Sequence, residues 1–284
     1  MRTTATLPAR NKTWVLKQLG QLQPFPPVVA QLMRVVSVEE ISFKHIAELI
    51  RSDAAVAAEV LRLANSPLLD CRRQVNSILH AVAIVGLERL RGLIMTLALR
   101  DFLSPTLQIP VLLRCWRHNL ACALLCEELS GAYYLGKDPS YTAGFLHDIG
   151  RLALLASFPA EYAQMLGLAA LHRLDVRECE RGAFGLDHCV AGSWLVEEWQ
   201  FPVEFREIVG LHHDPPDDHK FDMTALVQLA CRTADALGFD VAGPGCHGGP
   251  EELPESARHR FPSDTDLMLV IAEKVNALEC SLLA

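Results

Sequence analysis

The chain has 284 residues, half of them apolar and 21% charged, with a formal net charge of −8. That length supports one large or two modest hydrophobic cores, and the composition excludes a disordered chain. The acidic balance argues against broad, sequence-independent attraction to nucleic acid or anionic lipid, since both need clustered Lys and Arg.

The opening stretch, Met1 to Pro8, carries no apolar run that could serve as a signal peptide. No later run reaches the roughly 18 uninterrupted apolar residues needed to span a bilayer. A cytoplasmic location without membrane association is therefore expected. The nine cysteines include no CxxC pair. Cys115, Cys122 and Cys126 fall within one expected helix and read as small core residues in a reducing compartment.

Taken in chain order, apolar residues recur at intervals of three and four: Ile46, Leu49 and Ile50, then Val56, Val60, Leu61 and Ala64. Alternating β-branched stretches are almost absent, so the fold is expected to be all-α and multi-helical. Ser42 and Asp53 stand at N-cap positions, Asn65-Ser66-Pro67 ends a helix, and Gly86 closes one that begins near Ser77. A long helix carrying His118 is expected from Pro110 to Ser130. Gly131 to Ser140 reads as a loop, and Tyr141 to Phe158 as a second helix that carries His147-Asp148. The Gly- and Pro-rich stretch from Asp240 to Pro254 reads as a mobile loop before a terminal helix over Asp264 to Leu283. A division near residue 105 separates an N-terminal helical lobe, 1–105, from a second helical lobe, 106–284. The second lobe holds nearly all the residues able to bind a metal.

Those residues are His118, His147, Asp148, His188, His212, His213 and Asp235. They are ligand types suited to Fe, Mn, Ni or Zn. Neighbours on a helix point about 100° apart, so His147 can hold one metal while Asp148 bridges to a second. The His212-His213 pair can act similarly near a helix end. A buried imidazole cluster with two carboxylates can bind one or two divalent cations, polarise a phosphoryl oxygen and lower the pKa of bound water. In that chemistry Asp148 orients metal-bound water and Arg151 steadies an anionic substrate. Against it, eleven histidines in one chain produce some groupings by chance, and a single buried His is more often a hydrogen-bonded structural residue than a ligand. His45, His80, His172, His219, His247 and His259 receive no role.

Four ordered blocks of the first lobe are Leu22-Gln-Pro-Phe-Pro-Pro-Val-Val-Ala-Gln-Leu-Met, Ile46-Ala-Glu-Leu-Ile-Arg-Ser-Asp, Val60-Leu-Arg-Leu-Ala-Asn-Ser-Pro and Ser77-Ile-Leu-His-Ala-Val-Ala-Ile-Val-Gly-Leu. The second lobe adds Gly144-Phe-Leu-His-Asp-Ile-Gly-Arg, Asp187-His-Cys-Val-Ala-Gly-Ser-Trp and Ile208-Val-Gly-Leu-His-His. Together they resemble the HDOD family, the HD-related output domains of bacterial signalling proteins, over about residues 15–284.

The resemblance implies one HDOD unit, with an N-terminal helical lobe packed against an HD-like helical lobe. The ligand series of the wider HD superfamily can be laid onto His118, His147-Asp148, His188, His212-His213 and Asp235. HDOD proteins are regarded as non-catalytic output or scaffold modules, which implies a standalone regulator acting through signalling protein partners, with a phosphorylated or nucleotide ligand as a further possibility. The alternative is a metal-dependent phosphohydrolase or phosphodiesterase. Three departures from the catalytic HD-GYP relatives weigh against it. Arg114 stands where a Glu ligand is expected, Asp214-Pro-Pro follows His213 in place of the GYP signature, and Arg151 replaces a Lys.

Overall fold

A computed structural model of the chain describes residues 10–22, 29, 31–32, 42–65, 74–86, 90, 92, 94–96, 109–131, 134–214, 222–242 and 264–283. Among these residues every regular element is helical. The all-α expectation therefore holds. The expected boundary near residue 105 and Gly243 to Pro254 of the expected loop lie outside the described residues.

The first four helices are α1 (Lys12–Leu19), α2 (Phe43–Arg51), α3 (Ala54–Ala64) and α4 (Ile78–Val85). α1, α2 and α3 start at side-chain caps, whereas Ser77 before α4 makes no capping bond. The Asn11 side chain accepts from Thr13 N, Ser42 from His45 N and Asp53 from Val56 N, each supplying a partner to an otherwise orphaned N–H of the first turn. Asn65, just beyond α3, accepts from Val75 N at 2.7 Å and donates to Val75 O at 2.8 Å. It thereby ties the end of α3 to the segment leading into α4. The apolar faces of α2, α3 and α4 pack on one another through Ile46, Ile50, Val60 and Val82.

Among the later helices the central element is α5 (Pro110–Ser130). Pro110 sits at its first position, where a missing N–H costs nothing and the fixed φ is already helical. α6 (Lys137–Leu146) packs along one side of α5 and α12 (Met223–Ala234) along another, with α13 (Asp264–Leu283) against the outside. α7 (Ile149–Ser157), α8 (Pro159–His172) and α9 (Val176–Phe184) follow one another. α10 (His188–Glu198) lies between α7 and α11 (Val203–Leu211). A short π-helical turn over Asp235–Phe239 extends α12.

The expected single helix from Tyr141 to Phe158 is instead two, α6 and α7, joined by a turn at His147-Asp148 where Asp148 leaves helical geometry (φ −104°, ψ 22°). α6 also begins three residues before the expected loop ends. Gly136 is extended at its N-cap and Pro139 lies in the first turn, where its lack of an N–H is tolerated. Among the described residues no single helix is long and apolar enough to cross a membrane.

Candidate functional site

Two close helix contacts assemble the site. A Cβ on Gly150 would lie 2.0 Å from His188 O and 2.4 Å from Gly192 N, so α7 and α10 meet backbone to backbone. A Cβ on Gly144 would lie 2.7 Å from Cys122 O, so α6 presses equally closely on α5. The turn at His147-Asp148 lies between these contacts, facing α5 on one side and α10 on the other. His118 comes from α5, His188 from the start of α10, His212 from the end of α11, and Cys231 from α12. All of these are buried.

The four fully buried imidazoles share one arrangement. In each, Nδ1 meets an oxygen outside the cluster: His118 meets Phe239 O at 3.0 Å, His147 meets Gly144 O at 2.7 Å, His212 meets Val209 O at 2.8 Å, and His188 meets a Glu180 carboxylate oxygen at 2.6 Å. In a neutral imidazole, an Nδ1–H donated outward leaves Nε2 as a lone pair directed inward, which is how ligating histidines are held.

The donors divide into two groups, each with its ligand atoms within 4.8 Å of one another. The first is His118, Cys122, His147 and Cys231. The second is Asp148, His188, His212 and His213. His147 stands between them, its ring 5.3 Å from that of His118 and 4.9 Å from that of His212. A buried His/Cys and His/Asp constellation is thus present with donor atoms close enough to hold a metal ion.

Asp235 belongs to neither group. Its carboxylate lies 3.5 Å from His118 Nδ1, the outward nitrogen, so it backs a donor rather than joining the cluster. Burial pushes its pKa up to about 8. Arg114 turns away, donating to Val241 O at 3.3 Å.

The second group already contains a cation. Arg151, 1% exposed, donates from Nε to Asp148 Oδ2 at 2.6 Å and from Nη2 to His188 Nε2 at 3.2 Å. Burial raises the Asp148 pKa, but the adjacent guanidinium more than offsets this and holds the carboxyl well below its ordinary range. Asp148 Oδ1 faces His188 Nε2 at 3.3 Å and His212 Nε2 at 3.4 Å. Burial, reinforced by neighbouring His212, holds the His213 pKa well below its usual value. Glu180 also accepts from Tyr162 Oη and from His188 N. Although burial raises its pKa, His188 and Arg151 bring it below the ordinary value.

The first group has a different chemistry. His118 Nε2 lies 3.5 Å from Cys122 Sγ and 3.6 Å from Cys231 Sγ. Burial lowers the His118 pKa, but Cys231 and Asp235 outweigh it and hold the imidazole up at about 9. The hydrogen bond from Cys122 holds the Cys231 thiol well below its usual value. Burial drives Cys122 the other way, well above it.

Of the seven expected ligands, six enter these two groups and Asp235 enters neither. Cys122, Cys231 and Glu180 were missed. Cys122 stands four residues after His118 on one helix face, a spacing that permits joint ligation and could have been noticed. Cys231 lies 113 residues from His118, and nothing local marks it.

An all-helical protein with a buried histidine/aspartate cluster at a helix break is the class that fold and site define. The chain matches the HDOD domain family over residues 22–215. It belongs to that family. It is 22% identical over 205 residues to an uncharacterised protein of Treponema pallidum (strain Nichols), covering 71% of this chain and 39% of that protein. The chain thus spans about two fifths of the length of this curated relative. Its fold resembles that of a Shewanella amazonensis SB2B protein provisionally described as a phosphohydrolase, with a TM-score of 0.70, 21% identity, and 96% and 99% of the two chains covered. It equally resembles a Marinobacter aquaeolei VT8 protein provisionally described as a signal transduction protein, with a TM-score of 0.70, 19% identity, and 98% and 61% covered.

The residues present do not fit one shared metal cluster of the kind the HD resemblance implies. Two sulfurs enter one half, and Arg151 holds Asp148 and His188 in the other.

Proposed function

We propose that this HDOD protein is a non-catalytic signalling output module, acting in the cytoplasm through a protein partner. The observation that carries the reading is the Arg151 guanidinium, bonded to both Asp148 Oδ2 and His188 Nε2. A metal-bound hydroxide needs those donors and an open coordination position. Here their lone pairs point at a fixed internal cation, and the charge of Asp148 is already balanced. With its side chain directed inward and buried, Arg151 is also poorly placed to steady an anionic substrate.

One observation favours the alternative, a metal-dependent phosphohydrolase: the donor atoms of Asp148, His188, His212 and His213 lie within 4.8 Å of one another. Turnover of phosphomonoesters, phosphodiesters and cyclic dinucleotides, measured on the full chain with Fe, Mn, Ni or Zn added, separates the two readings. The signalling reading expects no turnover above the metal alone. Turnover that disappears in His188→Gln would overturn it.

A further inference from the structure

The half of the cluster that Arg151 does not occupy is built from two thiols and two imidazoles. We propose that His118, Cys122, His147 and Cys231 form a closed four-ligand site for one zinc ion, which staples α5, the α6–α7 turn and α12 together.

Ligand chemistry, geometry and burial support the site independently. Two sulfurs with two imidazole nitrogens form a donor set that selects tetrahedral zinc over oxygen-seeking cations such as Mg and Ca. With Zn–S of about 2.3 Å and Zn–N of about 2.0–2.1 Å, a regular tetrahedron has an S···N edge of about 3.6 Å. The two S···N distances at His118 are 3.5 and 3.6 Å. All four residues are buried, and their donor atoms lie within 4.8 Å of one another.

The two histidines are also held from behind as ligands require. Nδ1 of His118 is fixed by Phe239 O, with Asp235 beside it, and Nδ1 of His147 is fixed by Gly144 O. His118 and Cys122 are one helical turn apart on α5 and approach the ion from the same face. Cys231 arrives from α12, which packs against both α5 and α6. Four protein ligands leave no position for water or substrate, so this metal is structural rather than catalytic. Binding free energy at such a site is folding free energy, because the unfolded chain does not bring the ligands together.

The site is independent of the signalling reading, and its test reports on it separately. Full-length untagged protein from zinc-supplemented cultures is analysed for metal and by zinc-edge X-ray absorption. The expected result is one zinc per chain with a first shell of two sulfurs and two nitrogens. Cobalt-loaded protein should show tetrahedral d–d bands and thiolate-to-cobalt charge transfer, with the latter reduced in Cys231→Ser and in Cys122→Ser. Asp148→Asn should keep its zinc and its sulfur shell. The absorption measurement on unaltered protein needs no variant, so a variant that fails to fold leaves the test intact. Absence of zinc overturns the proposal, as does a first shell of nitrogen and oxygen alone. A nitrogen and oxygen shell accompanied by phosphoester turnover would overturn the signalling reading as well.

Discussion

Arg151 Nε and Asp148 Oδ2 are 2.6 Å apart and both side chains are 1% exposed, which makes this pair the electrostatic centre of the candidate site. The two residues stand one turn apart. The same guanidinium reaches across to His188 on α10, so the pair also joins α7 to α10.

Removing one partner of such a pair leaves an uncompensated buried charge. Arg151→Met should therefore cost about 3–5 kcal/mol of stability, read from urea unfolding as a lower midpoint with an unchanged slope. Arg151→Lys keeps the charge but cannot reach Asp148 and His188 with a planar fork, and should fall between the two. Equal stability of Arg151→Met and the parent chain would remove the pair from its central place.

Acid sensitivity follows from Glu180 and Asp148. Both carboxyls have folded-state pKa values below the ordinary ones, so each contributes stability that is present above its unfolded pKa and lost as pH falls through the folded value. The window lies below the ordinary glutamate value of 4.5. Glu180→Gln should be less stable than the parent at neutral pH, and the gap should close on acidification. A gap that stays constant down to pH 3 would show that Glu180 does not titrate in this way.

Gly150 and Gly167 make opposite predictions from the same substitution. A methyl group at Gly150 meets the backbone of His188 and Gly192 well inside contact distance, whereas Gly167, within α8, has nothing within 4 Å. Gly150→Ala must force α7 and α10 apart, costing about 1–3 kcal/mol or more. Gly167→Ala should stabilise by about 0.5–1 kcal/mol through helix propensity. Thermal melts of the two proteins should shift in opposite directions, and a shared direction would contradict the packing described.

Asn65 bonds through its side chain to Leu61 O and to both backbone groups of Val75. Asn65→Ala abandons the partly buried polar groups of Val75 and should cost about 1–3 kcal/mol. Hydrogen exchange should locate the lost protection at the α3 to α4 connection and leave α5 unchanged. Uniform loss across the chain would refute a local clamp.

Much of this architecture was legible in advance because helices are encoded locally. The bounds of α5 and α13 follow from periodicity with Pro110 at one start, and Ser42 and Asp53 mark two others. The turn at His147-Asp148 was not legible. The apolar pattern runs unbroken from α6 into α7, and what interrupts it is the need to face both α5 and α10. Cys122 was read as core for a similar reason: a buried thiol on an apolar helix face looks the same whether its neighbour is a leucine or an imidazole nitrogen.

The amino-acid sequence by itself determined the helical class, several helix starts and most of the donor residue types, because 3.6-residue periodicity, caps and side-chain chemistry are properties of short segments. Only the tertiary structure decided how those donors divide, with sulfur gathering at His118 and His147 while Arg151 takes Asp148 and His188. The reason is physical. Which atoms meet depends on how closely helices distant in sequence approach, and here that distance is set at backbone contacts such as Gly144 on Cys122 and Gly150 on His188.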